Sequence, residues 1–394
     1  MATATRAGGR LDLDPAQIEA TLQPVEQATM LPPRAFVDPS VLEWEIENLF
    51  GGWICMGHVS AVAEPGDYLM REIGESSVFA MRGADGVPRA FLNVCRHRGA
   101  RLVTESTGSV RRRIQCPYHA WSYDLDGSLV AAPHMDEVEN FDKSCNGLIE
   151  VRSTVAGGLL LIDLSGVAPE PAAHVGNLAA MLDRYRLGEL RLGRGVVYEV
   201  EANWKGIAEN YNECLHCPGV HPELNALSDY RSGESVVSDG SWCGGSMTLN
   251  EHAETMGTGE GHASNRPPIA GLDAKDVNSV YYFALFPNAL ISLHPDYVML
   301  HTLWPRATDL TEVTCEWFFE PETMAREDFD PSDAVDFWDT VNRQDWGVCE
   351  LTQKGVRTRG YVAGRYSGEE NDVHAFDTLV AERYLSALRN GEES

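Results

Sequence analysis

Two groups of cysteine and histidine stand out along the 394 residues. The first reads Asn93-Val94-Cys95-Arg96-His97-Arg98-Gly99 and, further on, Gln115-Cys116-Pro117-Tyr118-His119-Ala120-Trp121. Each half supplies one thiolate and one imidazole, so two hairpin loops meeting at their tips would gather Cys95, His97, Cys116 and His119. Two Cys and two His can also hold a structural zinc, but zinc fingers usually pair like with like. One of each per loop suits a [2Fe–2S] centre in which one iron takes both thiolates and the other both imidazoles, which raises the reduction potential. Gly99 and Pro117 fit the tight loops such a cluster needs. Between the halves lies Arg111-Arg112-Arg113, either a solvated strand face or a docking patch for an acidic ferredoxin or reductase.

The second group lies in residues 203–222, Asn-Trp-Lys-Gly-Ile-Ala-Glu-Asn-Tyr-Asn-Glu-Cys-Leu-His-Cys-Pro-Gly-Val-His-Pro. Pro218 and Gly219 separate His216 from His221, placing one near a helix end and the other just past the break. With one carboxylate, the two imidazoles would make a 2-His-1-carboxylate set that leaves iron(II) open positions for dioxygen. Asp345, in a helical stretch, is the best third ligand. Spacing alone does not separate it from Glu350, Asp339 and Asp336. Cys214 and Cys217 bracket His216, but no second cysteine pair lies nearby to complete a thiolate metal site. Buried, unreactive thiols are therefore expected for them, and for Cys55, Cys145, Cys243, Cys315 and Cys349. His294 and His301 could line a pocket, although a satisfied core histidine is the default.

The elements that must position these groups follow from periodicity. A polar leader precedes a helix starting at Pro39 and Ser40, with Val41, Trp44, Ile46, Leu49 and Phe50 as its apolar face. From Trp53 to about residue 155, short alternating strands and glycine turns (Asp85-Gly86, Asp126-Gly127) indicate a small all-β domain. The apolar run Gly158 to Leu164 reads as a buried strand. A helical stretch over 175–187 and a strand over 195–201 lead into the second motif. Residues 231–275, rich in Gly, Ser, Asn and acids, suit a mobile or lid-like connection. Strands are expected over 279–286, 297–304 and 312–320, and helices over 332–358 and about 374–388.

Composition narrows the function. A formal charge of −28 argues against nucleic acid, since a phosphate backbone would be repelled. It favours a cationic substrate or a basic electron donor, or simply aids solubility. No run is apolar and long enough for a membrane span, and the N-terminus lacks a signal-peptide core. Nine cysteines, several beside histidines, read as metal chemistry in a reducing cytoplasm rather than a disulfide framework.

The two motifs in this order, Cys-x-His and Cys-x-x-His followed by Asn-Trp-Lys…Glu-x-x-His-x-x-x-x-His, resemble the large (alpha) subunit of the Rieske non-haem iron oxygenases. The resemblance covers nearly the whole chain. It implies an α+β fold: an N-terminal helical segment over 1–48 packing on the catalytic domain, a Rieske-type all-β [2Fe–2S] domain over 49–157, and a catalytic domain over 158–394 with an antiparallel β-sheet packed against helices. It also implies one [2Fe–2S] cluster on Cys95, His97, Cys116 and His119, and one mononuclear Fe(II) on His216, His221 and Asp345, in each subunit. Electrons would come from NAD(P)H only indirectly, through a separate flavin/iron–sulfur reductase. A homotrimer is implied, in which the cluster of one subunit serves the iron of the next. Glu213 would bridge them, accepting hydrogen bonds from its own His216 and the neighbour's His119.

Within this family the stretch Glu209-Asn210-Tyr211-Asn212-Glu213-Cys214-x-His216-Cys217-Pro218-x-x-His221-Pro222 looks most like the quaternary-amine branch, which includes choline and carnitine monooxygenases and the glycine betaine and proline betaine demethylases. Glu213 stands where ring-hydroxylating relatives usually carry Asp, and Ala120 where many members have Gly. The expected activity is hydroxylation or N-demethylation of a quaternary ammonium compound with O2. A trimethylammonium group accepts no hydrogen bonds, so aromatic faces and carboxylates must hold it. Tyr211, Tyr282, Phe283 and Tyr297 are candidate walls, with a β-sheet core as their alternative role. An aromatic ring-hydroxylating alpha subunit is the rival enzyme, and an electron-transfer protein using only the cluster is the rival of another class.

Overall fold

Alternating burial along short strands makes the unit Phe50–Pro171 almost wholly β in the computed structural model, which describes residues 11–258 and 264–392. Its strands are β1 (Trp53–His58), β2 (Asp67–Ile73), β3 (Ser76–Arg82), β4 (Pro88–Leu92), β5 (Thr107–Ser109), β6 (Arg113–Gln115), β7 (Ser122–Asp124), β8 (Leu129–Ala131), β9 (Glu150–Ala156) and β10 (Leu159–Asp163). Seven of them form an antiparallel sheet in the order β1-β10-β9-β4-β3-β2-β5, while β6, β7 and β8 form a separate meander. Phe79, Phe91, Trp121 and Tyr123 share one core with Cys95 and Cys116, so the two cysteine loops are anchored from beneath. This unit runs past residue 157, where a change of domain was expected. β10 is buried along its whole length and pairs with both β1 and β9.

Residues up to Leu49 join those from Ala172 onward in the second unit. Its sheet contains β11 (Arg191–Val200), β12 (Glu234–Ser235), β13 (Trp242–Thr248), β14 (Ser279–Leu285), β15 (Ala289–Leu293), β16 (Val298–Ala307) and β17 (Leu310–Phe319). The order is β11-β17-β16-β15-β14-β13-β12, antiparallel throughout. β15 and the first eight residues of β16 are buried without alternation, as in a strand covered on both faces. The expected lid over 231–275 is only partly a connection. β13 is an integral strand there, and residues 259–263 lie outside the described part.

One buried carboxylate ties three helices together. Glu45, on Pro39–Asn48, accepts from Lys205 Nζ (2.6 Å) and Trp204 Nε1 (2.8 Å) on Trp204–Tyr211, and from the Tyr384 hydroxyl on Asn371–Glu392. This fixes the helix that leads into the second motif. Among the described residues no helix is long and apolar enough to cross a membrane.

Candidate metal centres and the cavity beside them

Both loops of the first motif close in the same way. Gly99 N donates to Cys95 O (3.0 Å) and Ala120 N to Cys116 O (3.1 Å). The closing residues have φ of 76° and 58°, the left-handed region that glycine enters without strain and alanine does not. Cys95 and Cys116 are buried free thiols. The His97 and His119 rings lie 4.7 Å apart, His97 stacked on Trp121 and His119 on Tyr118. Their Nδ1 atoms are buried with no partner, an arrangement that is costly unless something else binds them. Among the described residues, the only three or more metal-ligating atoms within 4.8 Å of one another belong to the second motif. The Cys/His quartet is therefore too spread for a single zinc, and its donors fit a two-iron cluster. Tyr123, fully buried, places its hydroxyl 3.3 Å from Cys95 Sγ and accepts from Arg96 N; burial pushes its pKa up.

The second motif folds around its prolines. The helix Trp204–Tyr211, capped by the Asn203 side chain, ends before Glu213. His216 caps the short helix Cys217–Val220, and His221 sits in the break before Pro222–Leu227. Asp345 reaches them from the long helix Ser332–Val356. Its Oδ1 lies 2.8 Å from His221 Nε2 and 3.2 Å from His216 Nε2. The outer nitrogens are also held. His216 Nδ1 meets Glu213 Oε1 at 2.5 Å, and His221 Nδ1 meets Gln344 Oε1 at 2.7 Å, with Gln344 Nε2 donating to Glu223. When each Nδ1–H donates outward, both Nε2 lone pairs are left for a metal.

The electrostatics agree with that assignment. Burial works against charge on His216, yet the carboxylates of Asp345 and Glu213 prevail and raise its pKa to about 9. Burial likewise works against an ionised Asp345, and the two imidazoles overcome it and lower its pKa. The donor set thus favours positive charge between three converging atoms. Glu350, Asp339 and Asp336 do not join it; Asp339 instead accepts from Tyr198 and Arg343.

A cavity of about 180 Å³ opens beside the triad, bounded by the sheet and the helices carrying its ligands. Pairing places Gly245, Tyr282, Ser292 and Met299 in one cross-strand row, and Leu290, His301 and Cys315 in the next. Tyr211 and Tyr282 line the cavity, joined by Trp338, Trp346 and His301. Phe283 and Tyr297, considered as walls, do not. Phe283 follows Tyr282 on β14, so its side chain takes the opposite face, against Trp242. Tyr297 lies beneath Trp338, accepting from its Nε1 (2.7 Å) and donating to Met256 O (2.6 Å).

The cysteines need a second correction. Cys214 and Cys217 are joined in a disulfide, because the turn that carries His216 brings their Cα atoms to 5.0 Å, within the usual range for such a bond. Cys145 is exposed rather than buried. Gln344, Glu223, Trp338 and Trp346 escaped sequence reasoning. Neither spacing nor residue type distinguishes an outer glutamine from any other helical glutamine.

Comparison with known proteins accords with this geometry. Residues 52–142 match the Rieske [2Fe-2S] domain, and residues 187–386 match the ring hydroxylating alpha subunit (catalytic domain). The carnitine monooxygenase oxygenase subunit of Escherichia coli K12 is 31% identical over 85% of this chain and 86% of its own. The glycine betaine monooxygenase oxygenase subunit of Pseudomonas aeruginosa is 28% identical over 97% and 95%. Among solved structures, a quaternary ammonium Rieske monooxygenase studied for carnitine oxidation by gut microbiota and inter-subunit electron transfer superposes with a TM-score of 0.80. It is 25% identical, covering 96% of this chain and 100% of that one.

Proposed function

Because the chain belongs to the Rieske non-haem iron monooxygenase oxygenase subunits, we propose that it hydroxylates a quaternary ammonium compound with O2 and electrons from a separate reductase. One observation carries the choice of a cationic substrate. The cavity beside the triad is lined by four aromatic side chains (Tyr211, Tyr282, Trp338, Trp346) and by carboxylates, with no Lys or Arg among its described lining residues. Aromatic faces and carboxylates attract an ammonium that offers no hydrogen bonds.

In this reading Cys95, His97, Cys116 and His119 hold a [2Fe–2S] cluster, and His216, His221 and Asp345 hold one Fe(II). The iron, when bound, supplies the reductive activation of O2. Glu213 and Gln344 fix the two imidazoles through their outer nitrogens, and the aromatic walls hold the cation beside the metal. The overall reaction consumes one O2, two electrons and two protons, inserts one oxygen into a C–H bond and releases one water. If the bond is on an N-methyl group, the resulting hemiaminal collapses to formaldehyde and the demethylated amine. Electrons derive from NAD(P)H through a flavin/iron–sulfur reductase, and the working form is a cytoplasmic homotrimer. Each Glu213 carboxylate there has lone pairs left to accept from the neighbour's His119.

The test is coupled oxygen uptake by the iron-loaded protein with a competent reductase, across choline, betaines and carnitine, with aldehyde or amine product measured. Coupled uptake with an aromatic hydrocarbon and with none of the amines would refute the reading.

A further inference from the structure

The cavity lining bears on which quaternary ammonium compound it takes, an inference that rests on the proposed function. Relatives named for glycine betaine and carnitine act on zwitterions, and a zwitterion's carboxylate needs a cation or converging donors once it leaves water. This cavity provides no Lys or Arg from its described residues. The nearest buried cations of the unit are already committed, Lys205 to Glu45 and Arg266 to Asp296 and Asp333. Amide donors are engaged as well. Nδ2 of Asn212, Asn342 and Asn371 donates to Ala208 O, Cys315 Sγ and Gly368 O. Beyond Glu213 and Asp345, the lining carries Glu234 and Glu369, both exposed, and the half-buried Asp372. A substrate carboxylate would meet like charge.

What the lining leaves unsatisfied is different in kind. His301, 2% exposed, lines the cavity, and its Nδ1 is buried without a partner. Its Nε2 faces Asn342 Oδ1 at 3.3 Å, an acceptor, so Nε2 carries the hydrogen. Burial lowers the pKa of this imidazole to about 4 and keeps it neutral. Nδ1 is then a bare lone pair, which repels a carboxylate and accepts from a hydroxyl. The Tyr282 hydroxyl, also buried and unpartnered, is the second free polar group of the lining. We infer that the cavity selects a quaternary ammonium cation bearing a hydroxyl and no carboxylate, with His301 Nδ1 accepting the hydroxyl hydrogen. His301 is thus a specificity-determining residue, not a metal ligand.

Calorimetric binding to the iron-loaded full chain tests this with three probes: choline, ethyltrimethylammonium (choline without its hydroxyl) and glycine betaine. Choline is expected to bind about tenfold or more tighter than glycine betaine. It should bind about fivefold tighter than ethyltrimethylammonium, the worth of one hydrogen bond. In His301→Leu the preference for choline over ethyltrimethylammonium should vanish while ethyltrimethylammonium binds as before. Glycine betaine binding as tightly as choline overturns the inference and leaves the quaternary ammonium reading standing. If none of the three cations binds, both fall. Should His301→Leu fail to fold, the wild-type series still decides, because equal affinity for choline and its deoxy analogue removes the hydroxyl contact.

Discussion

Each metal site is shaped by side chains that would not themselves touch metal. His221 has a side chain only 1% exposed, so its outer nitrogen has no water to fall back on and relies on Gln344 Oε1. Gln344→Leu removes that acceptor while keeping the bulk. It should weaken iron binding by about 10- to 100-fold, read as iron retained against a chelator, with the cluster spectrum unchanged as control. Tyr123 plays a comparable part at the other site. When Cys95 is a thiolate cluster ligand, the hydroxyl 3.3 Å away donates to sulfur and favours the more negative, reduced cluster. A hydrogen bond to a charged group contributes about 1.5 kcal/mol. For a one-electron couple this makes Tyr123→Phe lower the midpoint potential by on the order of 60 mV, measurable by redox titration. The ligand types were legible in the chain because metal chemistry fixes both residue type and spacing, as in Cys95-x-His97 and His216 with His221. Gln344, His301 and Tyr123 were not legible in those roles. Their importance arises from contacts across 123, 41 and 28 positions of sequence, which no local pattern records.

The elements show where periodicity succeeds and where it fails. Helices over 332–356 and 371–392, and strands such as β14, β16 and β17, announce themselves through apolar spacing. β13 does not, because Trp-Cys-Gly-Gly-Ser-Met-Thr carries two glycines that look like loop. Those glycines are required by close approach. A Cβ at Gly244 would lie 2.0 Å from Tyr282 O, and one at Gly245 2.1 Å from Glu234 O. Helix packing around Glu45 was equally hidden, since a glutamate among Trp44, Ile46 and Leu49 reads as a solvated position. In the fold it is fully buried and accepts from three residues on two other helices. Glu45→Ala strands the ammonium of Lys205 in the interior, at a cost of about 3–5 kcal/mol. Thermal unfolding should show a markedly lower midpoint. Replacing both partners, Glu45→Leu with Lys205→Met, should recover much of the loss. If the double variant is no better than Glu45→Ala, the ion pair is not what the helices depend on.

At the scale of the whole molecule the question is how electrons reach the iron. The ligands of the cluster lie in Phe50–Pro171 and those of the iron in the other unit, so two separately folded bodies must cooperate. In the trimer proposed above, each cluster serves the iron of the adjacent subunit, a head-to-tail contact that closes into a ring. Two inactive variants can test this together. Cys95→Ala lacks a cluster ligand but keeps the triad, and Asp345→Ala keeps the cluster but loses an iron ligand. With different tags and co-expression, tandem purification isolates mixed oligomers. Transfer within one chain leaves every subunit dead, whatever its neighbours. Transfer between subunits revives each intact triad that follows an intact cluster. For random assembly at equal amounts, half the subunits carry the triad, and half of those follow a competent donor. Activity before the tag selection should therefore be about one quarter of wild type per subunit. Each variant alone should be inactive. Mixed oligomers that contain both chains, show an intact cluster spectrum and bound iron, and still make no product would exclude the ring. Repeating the mixture with Glu213→Ala placed in the triad-bearing chain then addresses the junction itself. Both metals should remain bound and the cluster reducible, because Glu213 touches His216 only through its outer nitrogen. Product formation should nearly vanish, since the carboxylate that would join the two imidazoles is gone. Undiminished product from that mixture would mean that electrons cross the junction by another route.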